Sequence, residues 1–556
     1  MLKSILLLVI ICISAHSSPN LKGQNFLLPG EHKYRLIVKF APGEVLDIEA
    51  GKPYFAPDRA APPQVRNSLQ KYRFNQIIKF SDEEKKLMRS GQTPPPRREQ
   101  AFNKYKFRGL AFLEKAEEMK GEELLEIANE LEKLDFVEYA ALEPVEPPPP
   151  PGYSNEASRP NLILPPPATP DFSNNQTYKN SSFLNIEYAW SLGIKGQGIR
   201  IADIEWGFDY DHEDLKRSRF IELRPTTNHE YDNHGTAVAG ILFAMDNGYG
   251  VTGMVHQADT LYGISEVGIS RSSGITLGLG RLRAGDVFVY EMQTYGKNDY
   301  VPADFNQAVW DITKSATDDG IIVVAAAGNG NEDLDDPYYS SYLARGDNGS
   351  IIVGAGSANS SRSKLSFSTY GNRVNVQGWG QSVTTSGYGA LYNGGEHATY
   401  TSGFNGTSSA TPIVTSAVVA IQSYAKNVLG IILTPREMRS LLIETGRAQG
   451  AGGHIGPFPD IKAAIEKLRD IYSARLHIVS NIDDTIISTE SEFLLQWTGE
   501  NHSGPISLHL LNSRNELLLI SNDISSDTLY SWLIDSNITT GYRYRLVISH
   551  SDASDT

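Results

Sequence analysis

Apolar positions along the chain change rhythm three times. The stretch "GEELLEIANELEKL" places Leu124, Leu125, Ile127, Ala128, Leu131 and Leu134 at helical spacing, while "YRLIVKF" before it and "FVEYAALEP" after it read as strands. This predicts an α+β region over residues 34–146, with "GQTPPPRREQ" as a solvated insertion. "EPPPPPGYSNEASRPNLILPPPATP" then reads as an extended proline-rich linker, set at residues 147–182. Beyond it the pattern becomes strand, glycine-rich turn, helix. "GIRIADIE", "DVFVYEM", "GIIVVAAAGN" and "SIIVGAGS" are continuous apolar runs of the kind that a parallel sheet buries on both faces, and "GTAVAGILFAM" and "SSATPIVTSAVVAIQSYAKNV" read as covering helices. Residues 183–468 are therefore expected to form an α/β domain with a doubly wound, mainly parallel sheet and functional groups at the strands' carboxyl ends. Over residues 475–556, "EFLLQWTG", "PISLHLL", "ELLLISN", "TLYSWLI" and "YRYRLVIS" alternate between turn residues, as in a small antiparallel β-sandwich.

Composition narrows the partners. The 556 residues are too many for one ordinary domain, and the net charge of −15 argues against a phosphate-tracking surface, so nucleic acid is not an expected partner. Lys3, the apolar run Ile5 to Ile13 and the small residues after it read as a signal peptide over residues 1–17, cut after Ser17. Cys12 is the only cysteine and would leave with that signal. A cell-surface lipoprotein anchored through Cys12 is the minor alternative, with Ile11 standing where a small residue is usual. No other apolar run reaches the roughly 18 residues of a spanning helix, so no transmembrane segment is expected and the chain reads as secreted.

Candidate chemistry sits at element ends. "HEYDNH" resembles a zinc-protease helix, but His229 and His234 are five positions apart, about 140° around a helix, and cannot share a metal on one face. Asp203 ends the strand "IRIAD", His234 opens the helix "GTAVAGILF", and Ser408 lies in "FNGTSSATP", before a long helix placed near Thr411. A serine hydroxyl becomes a nucleophile when a base takes its proton, an imidazole can do so near neutral pH, and a carboxylate then fixes the imidazole's tautomer. Asn329, after the strand in "VVAAAGNG", offers an amide to a developing oxyanion.

"GQGIRIADIEWGFDYDHEDL", "NHGTAVAGI", "VVAAAGNG" and "FNGTSSATP" together resemble, in order and spacing, the Asp, His, Asn and Ser blocks of the subtilisin-like serine protease family (subtilases, peptidase family S8). The resemblance implies a serine endopeptidase with Asp203, His234 and Ser408 as its triad and Asn329 as oxyanion donor. The family usually carries Asp-Thr/Ser-Gly where this chain has Asp203-Ile204-Glu205-Trp206-Gly207, which leaves Asp232 and Asp209 open as alternatives for the acid. Residues 34–146 resemble the family's propeptide, an intramolecular chaperone and inhibitor, so a zymogen is implied. In "DVFVYEMQTYG", Glu291 and Gln293 replace the usual Ser and Gly of a substrate-binding strand, which implies an altered subsite with Glu291 favouring basic or polar substrate residues. The partners implied are protein or peptide substrates and the chain's own propeptide. No cofactor is required for the chemistry. Structural calcium, frequent in the family, is a further expectation, with Asp333, Asp335 and Asp336 of "NEDLDDPYY" as oxygen ligands or simply as a solvated acidic loop. The rival reading is a catalytically silent scaffold that binds surfaces.

Overall fold

The computed structural model of the chain describes residues 25–56, 69–90, 92, 102–146, 148, 169–215, 218–226 and 229–472, and within 473–550 the strands and turns given below. Residues 1–24, which include the stretch expected to be a signal peptide, and residues 149–168 of the expected linker lie outside the described residues. The fold divides between Lys462 and Ala463 into two compact units.

The first unit opens with β1 (Tyr34–Phe40), β2 (Val45–Glu49), β3 (Lys52–Phe55) and β4 (Phe74–Gln76), then helix α1 (Asp82–Arg89), β5 (Leu110–Leu113), α2 (Gly121–Leu131) and β6 (Val137–Pro144). Strands β4-β5-β1-β6 form an antiparallel sheet in that order. Period-two alternation explains its two faces. Tyr34, Leu36, Val38 and Phe40 of β1 pack with Leu124, Ile127, Ala128 and Leu131 of α2. Ile37, Tyr139 and Ala141 face the other way, into the core of the following domain.

That domain begins earlier than its apolar strands suggest. Residues 169–182, read from sequence as the end of the linker, are packed in place: Phe172 is buried with Tyr400 and Val251, and Tyr178 is fully buried. The proline-rich composition stops at Pro170, and the aromatic residues after it find partners. The chain continues through α3 (Ile186–Ser191), β7 (Arg200–Glu205), β8 (Phe220–Arg224), α4 (Asp232–Phe243), β9 (Thr260–Ser265), α5 (Arg271–Leu279) and β10 (Val287–Tyr290). A hairpin of β11 (Gln293–Tyr295) and β12 (Tyr300–Pro302) precedes α6 (Gln307–Asp318), β13 (Ile322–Ala326), β14 (Ile351–Gly356) and β15 (Val376–Trp379). A smaller antiparallel sheet follows from β16 (Val383–Ser386), β17 (Tyr392–Asn393) and β18 (Thr399–Phe404). Helices α7 (Thr407–Val428) and α8 (Pro435–Thr445) follow, and α9 (Ile461–Tyr472) begins where the two units divide.

The central sheet has seven parallel strands in the order β15-β14-β13-β10-β7-β9-β8. Every residue of β10, β13 and β14 is buried, as continuous apolar runs predict. Ile204, Phe288 and Tyr290 meet Ile275 and Leu279 of α5 and Ile312 and Ala316 of α6 on one face. Helix α7 covers the other face; a Cβ at Gly378 of β15 would stand 2.3 Å from the carbonyl oxygen of Ala410. Asp203 and Glu205 alternate with Ala202 and Ile204 and therefore point to the α7 face.

In the second unit, β19 (His477–Ile478), β20 (Glu492–Thr498) and β23 (Leu529–Leu533) form one antiparallel sheet, and β21 (Ile506–Leu511), β22 (Leu517–Ile524) and β24 (Arg545–His550) form another. Leu495 and Trp532 from the first meet Ile506, Leu508 and Leu510 from the second in a shared core, which is a β-sandwich. Among the described residues no helix is long and apolar enough to cross a membrane.

Candidate active site

Three segments converge at the carboxyl edge of the parallel sheet. His234 is the third residue of α4, and everything from it to Phe243 is buried. The helix fits there because its first turn is thin: a Cβ at Gly235 would lie 2.2 Å from the Gly207 carbonyl oxygen. Thr385 and Ser386 of β16 donate their hydroxyls to the carbonyls of Ala237 and Thr236 at 2.6 and 2.7 Å and fix the helix on that side. Strand β16 pairs with β18, whose last residue Phe404 sets its ring 5.5 Å from the His234 imidazole. Four residues on, the chain reaches Ser408. Helix α7 begins at Thr407 after Gly406 with φ +90°, so Ser408 is its second residue, one turn earlier than the start near Thr411 read from sequence.

The carboxylate on His234 is Glu205. Its two oxygens stand 2.8 and 2.9 Å from Nδ1. Asp203 does not fill this role, which corrects the sequence assignment. Its side chain is fully buried and neither oxygen has a hydrogen-bond partner. The physical reason is reach and position: Glu205 lies two residues further along the same face of β7, at the edge where α4 begins, and carries one more methylene. Asp232 and Asp209 are also engaged elsewhere, on His229 and His397, at 2.7 and 2.8 Å. A signal for Glu205 was present in the spacing. Glu205-Trp206-Gly207 keeps an acid two positions before glycine, and a Cβ at Gly207 would come 2.1 Å from an Asp232 oxygen.

Burial shapes the charges. Asp203, Glu205 and Glu291 are each at most 1% exposed. Burial, with the neighbouring Glu205, holds the Asp203 carboxyl well above the ordinary carboxylate range. Burial raises Glu205 as well, opposed by His234. Glu291 follows β10, one residue beyond the Tyr290–Ile204 pairing, which sets it beside Glu205 across the strands. Burial, then Glu205 and Asp203, push it well up, and both its oxygens lack hydrogen-bond partners. Glu291 is thus not presented to a substrate, and its expected preference for basic or polar residues is withdrawn.

Asn329 ends the run from β13. Its Oδ1 accepts from the Thr407 backbone N–H at 2.9 Å and the Thr407 hydroxyl at 3.0 Å. A backbone N–H can only donate, so this contact fixes the amide's orientation and leaves its NH₂ as the group that can donate. Gln293, only 2% exposed, accepts the Asn329 backbone N–H on Oε1 at 3.1 Å. The acidic loop is turn chemistry: Asp333 accepts from Asp335 N–H, Asp335 from Asn372 N–H, and Asp336 from Tyr338 N–H and Lys297. Among the described residues no three His, Cys, Asp or Glu side chains converge as a metal site.

Residues 196–457 match the model of a family described as the Subtilase family. The chain is 30% identical over 284 residues to an intracellular serine protease of Paenibacillus polymyxa, covering 49% of this chain and 80% of that one. It is 31% identical over 238 residues to Subtilisin Savinase of Lederbergia lenta, covering 42% and 80%. To the minor extracellular protease Epr of Bacillus subtilis (strain 168) it is 26% identical over 282 residues, which is 50% of this chain but only 40% of that protein's length.

Proposed function

The chain belongs to the subtilase family of serine proteases, and from that premise we propose that it is a secreted endopeptidase, made as a zymogen, whose triad is Glu205, His234 and Ser408. The observation that carries the reading is the buried Glu205–His234 contact beside a helix that starts at the nucleophile. Ser408 Oγ attacks the scissile carbonyl carbon and gives its proton to His234 Nε2. Glu205 holds the imidazole with Nδ1–H toward it and stabilises the cation. The carbonyl's π pair moves onto oxygen, where the Asn329 NH₂ and the positive N-terminal end of α7 meet it. Collapse breaks the C–N bond, and His234 returns the proton to the departing amine. Water then repeats the sequence on the acyl-enzyme with Ser408 as leaving group.

Residues 34–146 act in this reading as the inhibitory propeptide. Their sheet lies on α5 and α6: Arg35 donates to the Ile269 carbonyl at 3.0 Å, and Glu143 accepts the Arg271 backbone N–H at 3.0 Å at the start of α5. Cutting within the proline-rich segment would free the mature enzyme, with the N-terminal signal directing export and the sandwich as an accessory module.

The test is expression of the secreted chain, wild type beside Ser408→Ala, with intact mass and N-terminal sequencing of each. Loss of the region before the proline-rich segment in wild type alone, with fluorophosphonate labelling of Ser408, supports the proposal. Full-length product from both, with no labelling, overturns it in favour of a silent scaffold.

A further inference from the structure

The sheet order decides where a substrate must lie. From α7, the base His234 and its partner Glu205 stand on the β7 side, and the oxyanion donor Asn329 stands on the β13 side, with β10 between them. The leaving amine must face the base that protonates it. The acyl half therefore turns the other way, and the side chain next to the attacked carbonyl must enter the gap between two chain runs leaving the sheet. One run leads from β10 through Glu291 and Met292 into β11. The other leads from β13 through Ala327 and Gly328 to Asn329.

That gap is spanned by protein. Gln293 sits on the first bank, and its side chain crosses to the backbone N–H of Asn329 on the second at 3.1 Å. The hairpin β11–β12 lies against the second bank: a Cβ at Gly330 would be 2.3 Å from both N and O of Tyr300, and one at Gly328 would be 3.0 Å from the Tyr300 oxygen. The hairpin is itself fastened. Glu332 Oε1 accepts the backbone N–H groups of Asn298 and Asp299 at 2.8 and 2.9 Å, and the Thr369 hydroxyl donates to the Tyr300 carbonyl at 2.8 Å.

We propose that Gln293, braced on Asn329 and backed by the β11–β12 hairpin, closes the acyl-side subsite, so that the enzyme cleaves after small residues, glycine or alanine, and rejects large apolar ones. The proposal rests on the endopeptidase reading above and names the substrate class for the same site. Leucine or phenylalanine could enter only by displacing the buried Gln293 side chain and leaving the part-buried Asn329 N–H without its acceptor, a penalty of the kind that makes polar sites discriminate.

The experiment uses the secreted full-length gene product and peptides that differ only in the residue before the scissile bond. Wild type is expected to favour Gly or Ala over Leu or Phe by at least about 10-fold in kcat/KM. Gln293→Gly is expected to shift that ratio toward Leu and Phe by a further factor of about 10 or more. A small dialkyl fluorophosphate, which needs no side-chain subsite, labels Ser408 in parallel. Labelled wild type that prefers Leu or Phe overturns the gate and leaves the endopeptidase reading standing; failure to label overturns both. Should Gln293→Gly not fold, Gln293→Ala and the wild-type profile decide.

Discussion

Replacing Glu205 by glutamine keeps the side chain's length and removes its charge. Both Glu205 oxygens face His234 Nδ1, at 2.8 and 2.9 Å, and neither residue is more than 1% exposed, so water does not screen the pair. Opposite unit charges about 4 Å apart at an effective dielectric of about 20 attract by about 4 kcal/mol. That attraction exists in full once the imidazole has taken the Ser408 proton, as it does in the transition state. In other triads, loss of the orienting carboxylate lowers turnover about 10⁴-fold, or ~5 kcal/mol at ~1.36 kcal/mol per decade, the same order. Asp203→Asn is the informative control. Asp203 lies two residues earlier on the same strand face and meets no hydrogen-bond donor. Burial and the neighbouring Glu205 favour its uncharged form, so the isosteric amide should leave kcat/KM within about tenfold. The assay is steady-state hydrolysis of one peptide amide by wild type and both variants, with circular dichroism confirming the fold. A 10⁴-fold loss in Asp203→Asn with near-normal Glu205→Gln would refute the assignment and return the role to Asp203.

Three further outcomes follow from the same geometry. Asn329→Ala should lower kcat by about 10²–10³ with little change in KM, since the amide acts on charge that develops during reaction; an effect confined to KM would contradict the oxyanion role. Glu291 is raised first by burial and then by Glu205 and Asp203, so the folded chain holds this proton more tightly than the unfolded chain, whose carboxyl titrates near ~4.3. The stability from that proton is fully present below about pH 4 and is lost as pH rises toward the folded value, so the melting temperature of wild type should fall relative to Glu291→Gln as pH rises above about 5. A gap independent of pH would show that the group is ionised in the fold. Gly235→Ala puts a methyl 2.2 Å from the Gly207 carbonyl, backbone against backbone, and should cost about 1–3 kcal/mol of stability, read by denaturant melts with activity measured beside them.

The parallel sheet was legible because β10, β13 and β14 are apolar without interruption, and only a sheet covered on both faces accommodates such strands. His234 and Ser408 stand out in the sequence because glycines and small residues crowd beside them, and the structure shows the close approach at Gly235 and the positive φ at Gly406 that those glycines allow. The acid was misread. Asp203 and Glu205 share a strand face, and residue type was weighed above the acid-x-Gly spacing that Gly207 requires. Glu291 was misread for a different reason. It stands where the resemblance puts the serine of a substrate-binding strand, yet which face it occupies depends on the pairing of β10 with β7, which no local pattern reveals. Residues 169–182 read as linker because proline-rich composition shades into them, while their aromatic anchors become meaningful only through distant partners, Phe172 through Tyr400 and Tyr178 through Trp379, each more than 200 positions away.

Three carboxyls within one dry corner raise the question of which bears charge. Ionised carboxylates crowded together in low dielectric oppose one another, and each must find a counter-charge or keep its proton. Of the three, Glu205 is the one in contact with His234, at 2.8 Å. Asp203 and Glu291 consequently serve best as neutral acids, and that state matters for the chemistry. If either ionised, a second buried and unpaired negative charge would stand near Glu205 and oppose the charged form that orients His234. Their burial thus favours Glu205 as the charged acid of the three. It also predicts which change is harmful: lysine at position 203 or 291 would place a cation beside Glu205, compete with His234 for its only carboxylate, and abolish activity even in a chain that still folds.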